Sequence, residues 1–190
     1  MSDEQLRKVT VGEPARLDGP VTLVEYTAVW PEQFADEAER IKTALGDRAI
    51  RIEHVGSTAV PGLVAKPTLD ILLVTADSAD EPSYLPALET AGYVLRIREP
   101  DWHQHRLFKG SEPSVNLHVF SVGSEEVERM LRLRDWLRAN PADRDLYAQT
   151  KRALASKSWK YTQNYADAKS KVISTILARA TPPSTAHEGR

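Results

Sequence analysis

Glu53-His54-Val55-Gly56-Ser57-Thr58-Ala59-Val60-Pro61-Gly62-Leu63 runs on through Lys66-Pro67 to Leu69-Asp70-Ile71-Leu72-Leu73. It reads as a strand, a Gly-Ser turn, a short loop and a second strand that opens on a carboxylate. Glycine lets backbone amides approach a phosphate closely, and successive N–H groups in such a turn make an anion-binding concavity. An acid on the next strand can hold the metal that a phosphate carries. Gly56 and Ser57 are therefore candidates for phosphate binding, and Asp70 is a candidate metal ligand or base. The same segment holds the objection. Alternate strand residues face one way, so a second metal-binding acid would stand two residues after Asp70, where the chain has Leu72.

Outward from this segment the periodicity alternates. Residues 21–26 read as a strand, and Pro31 suits the first turn of a helix carrying Phe34, Ala38, Ile41 and Leu45, ended by Gly46. Residues 49–55 and 69–74 read as strands, the second rich enough in branched residues to be buried. A helix at 82–91, stopped by Gly92, precedes three more strand patterns at 93–97, 106–108 and 115–120. The order β-α-β-β-α-β-β-β predicts an α+β fold, a mixed sheet with helices largely on one side.

From residue 124 the pattern is helical. Ser124 is placed to cap a helix with Glu125 and Glu126 in its first turn and Val127, Met130, Leu131 and Leu137 along one stripe. Asn140 and Pro141 close it and open another. A last helix is expected to carry Tyr161, Tyr165, Ala168, Val172 and Ile176 on one core-facing side. The expected organisation is a mobile leader over 1–19 with one short strand, an α/β core over 20–122, a helical subdomain over 123–180 packed on it, and a disordered tail over 181–190.

The chain has 190 residues, 41% hydrophobic and 27% charged, and no cysteine, which excludes disulfides, thiolate catalysis and cysteine-ligated metal centres. No signal peptide pattern and no membrane-spanning apolar run is present, so a cytoplasmic location is expected. The net charge of −2 hides an asymmetry: 12 basic against 22 acidic residues over 1–128, and 12 against 4 over 129–179. A basic helical part either attracts phosphate-bearing ligands or pairs with the acidic half. No aromatic-basic interleave for stacking bases is visible, so nucleic acid is not expected as the main partner.

The segment from His54 to Leu63, Ala65-Lys66-Pro67 and Leu69-Asp70-Ile71 resembles the signature of the GrpB family. So do Trp30-Pro31, Leu117-His118-Val119, the run Leu133-Arg134-Asp135-Trp136-Leu137-Arg138 leading to Pro141 and Tyr147, Lys151, and the Tyr165–Lys169 pair. The resemblance covers roughly residues 20–178. It implies a nucleotidyltransferase-like fold, whose active members bind divalent metals with two acids spaced Asp-x-Asp or Asp-x-Glu and a third on a neighbouring strand. This chain keeps Asp70 and lacks the second acid; Asn116 or His118 occupies the third position.

The resemblance thus implies catalytic roles for Asp70 and His118 and a single divalent ion (magnesium, manganese or zinc) held by the same two residues. Lys66, Lys151 and Lys169 would balance ligand charge. His103 and His105, if extended, would share a face and could add nitrogen ligands. Against that, His54 and His118 read as buried hydrogen-bonding residues with His103 and His105 in a solvent loop, and Glu53 as an ion-pair partner on its strand. Two functions follow as expectations. One is a transferase acting on a nucleotide or a coenzyme A-like, phosphate-bearing ligand. The other is a catalytically degenerate module that binds such a ligand without turnover. A purely structural interaction protein is a third.

Overall fold

The computed structural model describes residues 1–180, and the tail expected at 181–190 lies outside the described residues. A five-stranded sheet in the order β2-β3-β6-β5-β4 organises the chain: β2 (Arg51–Val55), β3 (Leu69–Thr75), β4 (Val94–Glu99), β5 (His105–Gly110) and β6 (Val115–Ser121). Only β3 and β6 run parallel; the other neighbours are antiparallel. The α+β class and the mixed sheet expected from the sequence are both present.

One face of the sheet is mostly apolar, with His54 and Arg106 its buried polar members. Leu69, Ile71 and Leu73 of β3 and Leu117 and Val119 of β6 pack under α2 (Val29–Leu45) and α3 (Leu85–Thr90), through Trp30, Ile41, Leu45, Tyr84 and Leu88. The opposite face is divided. Its Leu72, Val74 and Phe120 side meets Val127 and Leu131 of α4 (Glu125–Ala139), and the rest carries the polar residues of the cavity described below. Helices α5 (Pro141–Ala155), α6 (Thr162–Ala168) and α7 (Ser170–Ala180) complete the helical layer. Val60, Leu63 and Val64, after the Gly-Ser turn, pack against Leu137, Tyr147 and Ile176 of that layer. Helices therefore cover both faces rather than largely one. Among the described residues no helix is long and apolar enough to cross a membrane.

Four local expectations differ. Residues 1–19 form helix α1 (Asp3–Val9) and strand β1 (Arg16–Gly19). A reciprocal Ser2–Gln5 capping box starts α1, Leu6 is buried, and β1 pairs with β7 (Trp159–Tyr161). The strand expected at 21–26 is absent as such. Val21 N–H bonds Ala155 and Val24 exchanges two bonds with Ala65, so this stretch ties the helical layer to the turn instead of joining the sheet. Ser124 precedes α4 without a side-chain cap, its Oγ buried without a partner, and Asn140 spends its side-chain amide on the Trp136 carbonyl of the helix it ends. Finally, the last helix is broken. Tyr161 belongs to β7, α6 stops at Ala168, and Lys169 N–H turns back to Ala166 before α7 begins.

Candidate functional site

The site is built where β2 ends. Val55 is the register partner of Asp70 on β3, so the turn that follows Val55 folds directly against the Asp70 side chain. Gly56 takes φ 69° and ψ −165°, a combination that is essentially glycine-only. A Cβ there would lie 2.8 Å from Asp70 Cβ and 2.9 Å from its Cγ, well inside van der Waals contact. Ser57 then opens a short 3-10 turn, Ser57–Ala59. The glycine is thus required twice, by its backbone angles and by the carboxylate above it.

The back of this turn is held by α4. Arg134, with a side chain 11% exposed, donates to Glu53 at 2.7 Å and to the His54 carbonyl at 3.0 Å, and Arg138 donates to the Ala59 carbonyl at 2.9 Å. These two cations are committed to the scaffold, and Glu53 is an ion-pair partner of Arg51 and Arg134. Removing Arg134 strands a partly buried carboxylate and a carbonyl, so Arg134→Ala should cost about 2 kcal/mol. Thermal unfolding should show a fall of roughly 4–8 °C; an unchanged melting temperature would remove α4 as the anchor of the turn.

On the sheet, strand register assembles the rest. Asp70 lies opposite Asn116 of β6, and Asn116 opposite Lys109 of β5. The three link side by side: Lys109 Nζ donates to Asn116 Oδ1, and Asn116 Nδ2 donates to Asp70 Oδ1 at 2.6 Å. Burial opposes ionisation of Asp70, but His118 when it is protonated, the bond from Asn116 and the charge of Lys169 outweigh it and hold its carboxyl below the usual range. Burial also lowers Lys109, against the pull of Asp70.

A cavity of about 630 Å³ opens over this row. Gly56, Ser57, Lys66, Asp70, His118, Lys151 and Lys169, the seven residues nominated from the sequence, all line it. Lys151 is 2% exposed, donates to the Val64 carbonyl and sits 5.4 Å from the Tyr147 ring. Burial, with the nearby charge of Lys169, pushes its ammonium down to about 7 despite Asp70. Burial drives Tyr147 up to about 12, while its bond with Ser57 works the other way. Lys169 lies 4.6 Å over the Tyr165 ring, at the break between α6 and α7 that aims it inward. Among the described residues the buried Tyr165 hydroxyl has no hydrogen-bond partner.

Lys109 and Arg96 also line the cavity and were not singled out in the sequence. Lys109 had a signal: it sits at a period-two position with His105 and Leu107 on β5, whose register faces Asn116 and His118. Arg96 had none, because its strand is brought to the site only by pairing across β5. Among the described residues the basic groups of the wall are Lys66, Arg96, Lys109, Lys151 and Lys169, and Asp70 is its one acid.

The histidines do not make a metal set. His103 lies exposed in a turn with φ 50°, so the extended geometry that would set it on one face with His105 is not present. His54 is buried, bonds Thr58 at 3.0 Å, stacks on Phe34 and is pushed down to about 4 by burial. His105 is buried between Glu99 and His118, also lowered to about 4 by burial. Among the described residues no group of three or more His, Asp or Glu could hold a metal ion. Leu72 is fully buried against Val55, Phe120 and Leu131, so α4 covers the place a second acid would need. The donor set does not fit a two-metal centre.

Comparison with known proteins agrees over nearly the whole chain. A UPF0157 protein of Halalkalibacterium halodurans is 58% identical over 179 residues, 94% of this chain and 92% of that protein. Another from Streptomyces coelicolor is 44% identical over 170 residues, 90% and 88% of the two chains. A dephospho-CoA kinase of Mycolicibacterium paratuberculosis is 31% identical over 166 residues, 73% of this chain but 40% of that protein. The crystal structure of the conserved protein GrpB from Enterococcus faecalis superposes with a TM-score of 0.70 at 29% identity, covering 84% of this chain and 96% of that one. A family model described as GrpB protein matches residues 20–179, and the chain belongs to the GrpB family.

Proposed function

We propose that the cavity binds a phosphate-bearing small molecule, a nucleotide or a coenzyme A-like ester, with lysines supplying the neutralising charge that metals supply elsewhere. The observation that carries this is the wall itself: five cationic side chains and the Gly56-Ser57 turn around a single carboxylate. Excess positive charge inside a concave, partly desolvated site favours an anion strongly. The unpartnered Tyr165 hydroxyl offers one more donor. The dephospho-CoA kinase relative, which carries a similar segment, supports a nucleotide or coenzyme A-like ligand.

In this reading Gly56 and Ser57 receive the phosphate, with Lys66, Lys151 and Lys169 around it. Asp70 and His118 face the group to be transferred. A single magnesium, manganese or zinc ion arriving with the ligand would find only Asp70 and His118 as protein donors, set 3.8 Å apart. Transfer would therefore proceed without the paired metals of nucleotidyltransferases. The buried Leu72 favours a second reading, a module that binds the same ligand without turnover.

Thermal shift and calorimetry with ATP, CTP and coenzyme A, each with divalent metal and with chelator, test the proposal. A ligand at a hundred times its Kd should add about 2.7 kcal/mol, roughly 5–10 °C in melting temperature. The shift should persist in chelator and largely vanish in Lys169→Ala. No shift with any ligand would sink the reading and leave an interaction protein. Where binding appears, turnover of labelled nucleotide separates the transferase from the module.

Lys151 adds a pH signature. Its folded pKa of about 7 lies below the ordinary lysine value, so above neutrality the folded chain holds fewer protons than the unfolded one. Stability should therefore rise as pH increases from about 7 toward the unfolded lysine value. An anion beside Lys151 restores its charge, so ligand binding at mildly alkaline pH should take up close to one proton. Calorimetry in buffers of different ionisation enthalpy reads this directly, and Lys151→Met should abolish both effects.

A further inference from the structure

Four side chains form a string from the cavity to the far side of β5: Asp70, His118, His105 and Glu99. Glu99 and His105 are register partners on β4 and β5, and His118 stands on β6 beside them. The separations along the string are unequal. Glu99 Oε2 lies 2.7 Å from His105 Nδ1, and His105 Nε2 lies 3.1 Å from His118 Nδ1. His118 Nε2 is 3.8 Å from Asp70 Oδ1, beyond hydrogen-bond range.

Those distances fix the direction of donation. A neutral imidazole carries one N–H, and an ionised carboxylate only accepts. Glu99 therefore takes the His105 Nδ1 proton, which leaves His105 Nε2 as a lone pair. That lone pair can accept only from His118 Nδ1–H, so His118 Nε2 is bare. Donation in the opposite sense would face a His105 lone pair to a carboxylate at 2.7 Å, which is repulsive. It would also ask Asp70 Oδ1 for a bond at 3.8 Å, while that oxygen already accepts from Asn116 at 2.6 Å.

We infer that Glu99 and His105 are positioning residues that hold His118 in the Nδ1–H tautomer and turn its unprotonated Nε2 toward the cavity. There it accepts a hydrogen bond from a hydroxyl or amine on the ligand. The rings are set for the task. His105 is 5% exposed, stacks on Phe120 at 4.7 Å and on His118 at 5.2 Å, and takes the edge of Trp102 at 5.4 Å. Glu99 is also held in place, with a side chain 14% exposed. The ligand class narrows accordingly, to a phosphate ester that presents a hydroxyl or amino donor near its phosphate. That narrowing rests on the cavity reading above; the tautomer is a property of the ligand-free protein.

Long-range 1H–15N correlation spectra of the full chain, recorded ligand-free at mildly alkaline pH, test it, with His118 signals assigned by their loss in His118→Gln. The expected spectrum has Nδ1 protonated and Nε2 bare. Glu99→Ala removes the fixed acceptor, and His118 should then shift toward the Nε2–H form that free imidazole prefers. A wild-type His118 carrying its proton on Nε2 overturns the inference, as does a folded Glu99→Ala with an unchanged tautomer. If Glu99→Ala does not fold, the wild-type spectrum still decides. Absence of ATP or coenzyme A binding would strike the ligand reading alone and leave this result unaffected.

Discussion

Leu72→Asp, which writes back the second acid of a two-metal site, should come close to unfolding the protein and should not create a metal centre. Position 72 is fully buried, enclosed by Val55, Val74, Phe120, Val127 and Leu131. Truncating a buried leucine costs about 2–5 kcal/mol, and burying a carboxylate without a full set of partners adds several more. Its register partners are Glu53, a like charge already paired with Arg51 and Arg134, and His118, already engaged with His105. A loss on the order of 5 kcal/mol or more is a large share of the 5–15 kcal/mol by which a domain is stable. For a chain of this length that is roughly 10–20 °C. Leu72→Ala gives the cavity cost alone, and the difference between the two variants is the charge. Thermal unfolding with and without magnesium decides the matter. A Leu72→Asp protein that melts within a few degrees of wild type, and gains stability with magnesium, would mean the acid site survives beneath α4.

This bears on what the missing acid signifies. Apolar side chains of the neighbouring helix cover Leu72, and lysines on four separate segments line the cavity. In the proposed reading the charge that would neutralise phosphate comes from Lys66 in the turn-to-strand loop, Lys109 on β5, and Lys151 and Lys169 in the helical layer. Lysine ammonium groups are compact point charges that suit phosphate without demanding the fixed coordination of a metal.

The legible part of this protein was the part whose determinants are local. The path from Val55 through Gly56 to Asp70 is read from contiguous residues because the turn and the acid belong to adjacent, antiparallel strands. Arg96 comes to the cavity through lateral strand pairing across β5, which spacing along the chain does not encode. The short strand of the leader is present as β1, whereas α1 is hidden behind Gly12 and Pro14, although Ser2 and Gln5 carry the capping-box spacing it uses. The break at Lys169 left no trace, since apolar residues keep helical spacing on both sides of it. Yet that break is what lets Lys169 reach the Tyr165 ring and the cavity. Ser124 shows the reverse error, a favoured cap residue whose hydroxyl is not used.

Gly56→Ala should lose both stability and ligand binding, and the two losses can be taken apart. The backbone at φ 69°, ψ −165° costs a residue with a Cβ about 1–3 kcal/mol. The new methyl would also stand 2.8 Å from Asp70 Cβ and 2.9 Å from Cγ, so the whole aspartate must swing away rather than only its carboxylate end. Asp70 then loses its bond from Asn116, bringing the expected total to about 3–5 kcal/mol. Gly62→Ala is the control. It also has positive φ, at 77°, but meets nothing nearer than Arg144 Nε at 3.9 Å, so it should show the conformational cost alone, about 1 kcal/mol. The double variant Gly56→Ala with Asp70→Ala removes the clash and keeps the backbone strain. Its loss should be smaller than the sum of the singles, a coupling of at least about 1 kcal/mol from residues in direct contact. Ligand binding should not return with that stability, because the Gly56 turn that would receive the phosphate stays strained. Strict additivity in urea unfolding would mean that Gly56 serves backbone geometry alone and that the approach of Asp70 to the turn is incidental to the fold.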